Sequence, residues 1–185
     1  MRLPIDSINK QLENNIKKWV NSVSDTSDTS IFNRLRKKTA LSLLTTFTGR
    51  AIPFATRNGF KIIDLKAGYI KAFIPLKPNK NHFNAMYAGA LFTVAELPGG
   101  IMSILSFDSR FFPTLKDFKI EFLKVAKSNV TVEFEITQDK LKELENRALQ
   151  QGKCAFTLEG NIRDSKNMVV ARTYASYQVL LSTKG

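Results

Sequence analysis

One cysteine, one histidine and a shortage of acids among 185 residues remove several kinds of chemistry at the outset. Cys154 stands alone, so the sequence holds no intrachain disulfide framework and no cysteine-built zinc site. His82 is equally alone, which excludes His-rich metal sites and leaves a Ser-His-Asp arrangement only one residue to use. There is no Gly-rich phosphate loop and no run of 18 or more apolar residues. The stretch from Met1 to Lys18 lacks the apolar core of a signal peptide. These absences predict a soluble cytoplasmic protein without a membrane span, working with neither metal nor redox cofactor.

Acids are outnumbered 16 to 28 by Lys and Arg, giving a formal net charge of +12. The excess is spread along the chain, and only Arg34-Leu35-Arg36-Lys37-Lys38 forms a dense cluster. A solvated basic surface accounts for such a distribution. Attraction to nucleic acid, an anionic membrane or an acidic substrate carrier are the functional readings. Nucleic-acid binding ranks last, because no recognisable motif or aromatic-interleaved basic stripe accompanies the charge. The hydrophobic share of 43%, with 14 Phe, is ample for the core of one globular domain.

Apolar spacing predicts an amphipathic helix over 6–24, through Ile8, Leu12, Ile16, Trp19, Val20 and Val23. Turn and cap residues fill 24–30, and a second helix is expected from Ile31 to Phe47, ended by Gly49. From Phe60 the period changes to that of strands. Phe60–Leu65 and Tyr69–Leu76 read as a hairpin around Lys66-Ala67-Gly68. A central helix follows over about 86–105, with Pro98 expected to kink or weaken it. Alternation then puts Phe118, Ile120 and Phe122 on one strand face, and Val130, Val132, Phe134 and Ile136 on another. A short helix capped by Asp139 and stopped by Gly152 precedes a hairpin of Cys154–Leu158 and Met168–Leu181. One long helix plus antiparallel strands predicts an α+β domain with the helix laid across the sheet. The division expected is an N-terminal helical extension, 1–48, and a main domain, 49–185.

Within the central helix, Glu96 lies among Leu91, Val94 and Ala95, with no basic residue three or four positions away. Local helical ion pairing cannot account for it. A carboxylate in apolar surroundings costs free energy unless it is paired, hydrogen-bonded or used. Burial should raise its pKa, which suits a base working near neutral pH. Seven residues earlier, Ala88 and Gly89 sit at the start of the helix, where free N–H groups and a partial positive charge suit an oxyanion. Their small side chains permit close approach of a carbonyl.

Asn81, Tyr87-Ala88-Gly89 and Glu96 fall at the spacing of Asn, five residues, His-Gly-Gly and an acid seven residues on. That signature resembles the central helix of hotdog-fold thioesterases, closest to the PaaI-like group and to its branch reading Asn-His, Ala and Glu. Tyr87 replaces the family His, Ala88 the first Gly, and the acid is Glu rather than Asp. The resemblance implies a hotdog fold, a long helix wrapped by an antiparallel sheet, here with two extra N-terminal helices. It also implies an acyl-thioester hydrolase acting on acyl-coenzyme A or acyl carrier protein, built as a homodimer or tetramer. By carry-over, Gly89 donates to the oxyanion, Glu96 from the facing protomer is general base or nucleophile, and Asn81 orients water or carbonyl.

Other positions carry paired readings. His82 would contact a pantetheine phosphate or stand exposed; Tyr87 would donate to substrate or only pack; Ala88 would admit the carbonyl. Lys116, Lys119 and Lys124 lie near where relatives bind the coenzyme, though exposed strand lysines are ordinary. Phe118 and Phe122 would line an acyl tunnel or fill the core. Gly99 and Gly100 would leave room for an acyl chain or allow close helix–strand packing. The altered Tyr87 and Ala88 also permit a non-catalytic acyl-binding or scaffold module, since fold does not entail function.

Overall fold

The computed structural model describes residues 31–181, together with Asn15 and Lys18, both helical. The remainder of the helix expected over 6–24, and the turn segment 24–30, lie outside the described residues. Helix α1 (Ile31–Ala51) turns into the short α2 (Pro53–Arg57). Gly49 does not end α1. A Cβ there would collide with Thr56, so Gly49 lets the two helices meet closely. Leu41 and Leu44 of α1 enter the core. Lys37 pairs with Asp64 at 2.6 Å, tying α1 to the first strand.

Strands β1 (Lys61–Lys66) and β2 (Tyr69–Ile74) form the expected hairpin, with Gly68 at φ +74. The central helix α3 spans Ala88–Ser106 and runs on across Pro98. After it come β3 (Phe111–Phe122), β4 (Val130–Glu135), α4 (Gln138–Gln151), β5 (Lys153–Asp164) and β6 (Val169–Leu181). The strand order is β1-β2-β4-β5-β6-β3, with every neighbouring pair antiparallel. Thr137, not Asp139, caps α4, because its hydroxyl accepts the Lys140 N–H. Gly152 ends α4 in the left-handed conformation its missing Cβ allows.

α3 is apolar nearly all round, as a helix must be when a sheet wraps it. By length and composition it would cross a bilayer, yet most of it is buried inside the protein. Val94, Ala95 and Met102 pack with Ile70, Ala72, Val132, Phe134 and Tyr177 in the main core. Leu141, Leu144 and Ala148 of α4 close a second core with Phe107, Phe111 and Val179. The expected shared face of β3 holds only in part. Phe118 and Ile120 are half-buried, but Phe122 is 54% exposed at the end of a strand that forms the sheet edge.

Candidate active site

The loop before α3 builds its N-terminus. Asn79 is buried, donating through its amide to the Asn58 and Pro75 carbonyls, while its own carbonyl accepts the Tyr87 N–H at 2.8 Å. The Asn81 side-chain oxygen accepts from the Phe83 and Ala85 N–H groups at 2.9 and 3.1 Å. Met86 N–H bonds the Ala126 carbonyl, which brings the β3–β4 loop against this turn.

Tyr87 is the N-cap, with its carbonyl accepting from Ala90 and Leu91. The N–H groups of Ala88 and Gly89 therefore open α3 with no hydrogen-bond partner among the described residues. Such orphan donors at the positive end of a helix are an anion site in waiting. Thr93 donates back to the Gly89 carbonyl at 2.8 Å, fixing that turn. The exposed Tyr87 ring folds over Gly89, where a Cβ would collide with it.

A cavity of about 330 Å³ lies beside this helix end, lined by Asn81, Ala88, Leu91, Phe122, Lys124 and Val125 among others. Neither Gly89 nor Glu96 lines it, and neither lines the two larger cavities, near 530 and 540 Å³, that run along β4 and β5. They arise where β4 and β5, paired at only two positions, diverge.

Glu96 is half-buried, and burial raises its pKa above the ordinary glutamate value. Its carboxylate has no ion-pair or hydrogen-bond partner among the described residues. Seven residues separate it from Gly89, two turns along one helix face and about 10 Å of axial rise. That rise separates the backbones of the two positions by more than the width of one carbonyl group. Phe92, between them, is 45% exposed and packs on Phe118 at 4.5 Å.

The remaining sequence-singled residues divide. Asn81, Ala88 and Lys124 meet at the cavity, where the Lys124 ammonium also reaches the Met168 sulfur at 3.1 Å. His82 is exposed with its ring on Phe83 at 3.9 Å. Lys116 projects at the β3 bulge, and Lys119 is held by Glu121 at 2.5 Å and by the Tyr174 ring; neither lines the cavity. Among the described residues, no group of three or more His, Cys, Asp or Glu is placed to hold a metal ion. Asn79 and Tyr177 escaped sequence reasoning. Asn79 looked like any polar loop residue, and Tyr177 like any aromatic on an alternating strand.

The family described as "Domain of unknown function (DUF4442)" matches residues 41–179. Among solved structures, the chain is similar to a protein of unknown function from Pseudomonas aeruginosa, described as a probable thioesterase. Identity is 38%, over 76% of this chain and 95% of that one, at a TM-score of 0.74. A protein of unknown function from Chlorobaculum tepidum shares 14% identity over 79% and 97% of the two chains, with a TM-score of 0.69. A thioesterase from Haemophilus influenzae shares 14% over 78% and 94%, at 0.61. No curated protein matches.

Proposed function

The chain belongs to the DUF4442 family and has the hotdog fold of thioesterase structures, and from that premise we propose that it is an acyl-thioester hydrolase. The observation that carries this reading is an unpartnered, half-buried Glu96 on the same helix face as two free amide N–H groups. Attack on a thioester carbonyl puts negative charge on its oxygen. Donors fixed beforehand stabilise that charge without reorganisation. Gly89, helped by Ala88, is the proposed donor.

Because a chain's own Glu96 lies about 10 Å along the helix from its Gly89, the acid that acts on a carbonyl held at Gly89 is supplied by a second copy. A two-fold arrangement of antiparallel central helices would pair each Glu96 with the other chain's Gly89. The exposed Phe92 on that stripe supports burial against such a copy. We therefore propose a homodimer, and the tetramer as a higher assembly of it.

Glu96 acts either as general base, taking a proton from an attacking water, or as nucleophile, forming an anhydride that water then opens. In both courses the carbon–sulfur bond breaks, a carboxylic acid forms and the thiol leaves with a proton. Asn81, whose side-chain oxygen is committed to its own loop, keeps its amide N–H groups to orient water or carbonyl at the cavity. The acyl chain takes the cavity beside Leu91 and Phe122. Lys124 at the rim meets the phosphate of coenzyme A or of a carrier-protein arm, and Tyr87 and His82 stand at the entrance. We assign Lys116 and Lys119 a looser, electrostatic part. The reaction needs no cofactor, fits a cytoplasmic enzyme, and is assigned to residues 49–185.

One observation favours a second reading. The Tyr87 ring folded over Gly89 covers the approach to the donors, which suits a module that binds acyl groups without cleaving them. A panel of acyl-coenzyme A and acyl carrier protein substrates, followed by free-thiol release, separates the two. Turnover lost in Glu96→Gln supports the hydrolase; acyl-ligand binding with no release at any chain length supports the module.

A further inference from the structure

Tyr177 stands on β6, opposite Glu96 across the helix–sheet contact, and its ring is 3% exposed. The register places it between Phe156 of β5 and Leu115 of β3. Its ring stacks on Phe156 with centroids 5.5 Å apart and planes 21° apart. The only freedom left to the hydroxyl is to point at α3. There it donates to the main-chain oxygen of Glu96 at 3.4 Å.

The helix is built to receive this hydroxyl. A Cβ on Gly99 would collide with it at 2.7 Å, whereas one on Gly100, at 3.8 Å, would make only ordinary contact. Gly99 is thus explained by the tyrosine, and not by space for an acyl chain. Pro98, beside it, has no N–H to give, so the Val94 carbonyl loses its helical partner two residues before Glu96. The turn that aims the carboxylate is therefore weakened from within and held from the sheet. Within the helix itself, the Ser103 hydroxyl donates back to the Gly99 carbonyl at 2.7 Å.

We infer that Tyr177 is a positioning residue: its hydroxyl, seated on Gly99, holds the backbone of the Glu96 turn so that the acid points toward the facing protomer. This rests on the hydrolase reading. Tyr177 does not touch substrate, because its hydroxyl is buried against main chain. Burial, and then the nearby Glu96 charge, push its phenol far above the ordinary tyrosine range. It therefore keeps its proton and remains a donor throughout.

The test uses full-length protein and steady-state hydrolysis of decanoyl-coenzyme A. Tyr177→Phe removes only the hydroxyl and should lower kcat about 10–100-fold with KM unchanged, as expected for a misaimed reacting group. The acid limb of the pH profile should stay where it is, because the lost bond ends on main chain. A role in packing alone would instead admit water at Glu96 and move that limb down toward ordinary glutamate. Gly99→Ala should reproduce the loss by pushing the hydroxyl away, and should add nothing in a Tyr177→Phe background. If Tyr177→Phe does not fold, Gly99→Ala alone carries the test. A kcat for the folded variants within about two-fold of the parent, losses that multiply in the double variant, or a lowered acid limb overturns the inference. If the unmodified protein releases no thiol from any thioester, the hydrolase reading itself falls and takes this role with it. An active parent with an indifferent Tyr177→Phe ends the positioning role alone.

Discussion

Replacing Glu96 by Gln should do two opposite things at once. Turnover should fall by a factor of about 10²–10⁴, the usual contribution of a positioned acid–base group. Stability at neutral pH should rise, because burial raises the carboxyl pKa and no partner offsets the buried charge. Protons bind the folded Glu96 more tightly than the unfolded one. Stability is consequently lost as pH climbs from the ordinary glutamate value to the raised one, and the full penalty applies above that window. A buried polar group left without a partner costs about 1–3 kcal/mol, and partial solvent access to this half-buried group puts the gain at the low end, about 1 kcal/mol. In a chain of this size that is about 2–4 °C of melting temperature. Thermal melts of both proteins, at one concentration and at several pH values, would show the curves apart at pH 7 and merged in acid. A variant less stable than its parent at neutral pH would refute the reasoning, since it would mean that the charge is paired. Normal turnover would refute the chemistry.

Gly89→Ala should lower kcat about 10²-fold, the usual effect of disturbing an oxyanion donor, because its Cβ must displace the Tyr87 ring from the helix end; circular dichroism should show the helix intact. Lys124→Glu should raise KM for acyl-coenzyme A several-fold at low salt and much less at high salt, read from steady-state rates. Lys119→Glu, at a position already paired with Glu121 and off the cavity, should raise KM much less than Lys124→Glu in the same assay. Leu144→Ala, in the fully buried centre of the second core, should destabilise by about 2–5 kcal/mol in denaturant titration while sparing KM.

Much of the architecture was legible because it rests on short-range periodicity. Val130, Val132 and Phe134 alternate with polar neighbours, and each is buried where that pattern puts it. Leu141, Leu144 and Ala148 repeat at helical spacing and lie on the packed side of α4. Errors fell where a residue answered to a distant neighbour. Gly49 looked like a helix stop but makes room for Thr56, and Asp139 lies inside the first turn of a helix that starts at Gln138, which leaves the cap to Thr137. Phe122 matched a core pattern, yet the strand that carries it is a sheet edge and the ring opens onto a cavity.

The sequence by itself determined that Glu96 has no local counter-charge and shares a helix face with Gly89, two turns away, because both follow from spacing along one helix. It also settled the face of β4, though that of β3 only in part, and the excess of positive charge. Tertiary structure alone decided that this carboxyl is desolvated, that the β3–β4 loop joins the helix start to make a cavity, and that Tyr177 reaches across 81 positions to the Glu96 turn. Burial and such contacts depend on which surfaces the sheet brings together, and no local pattern encodes that choice.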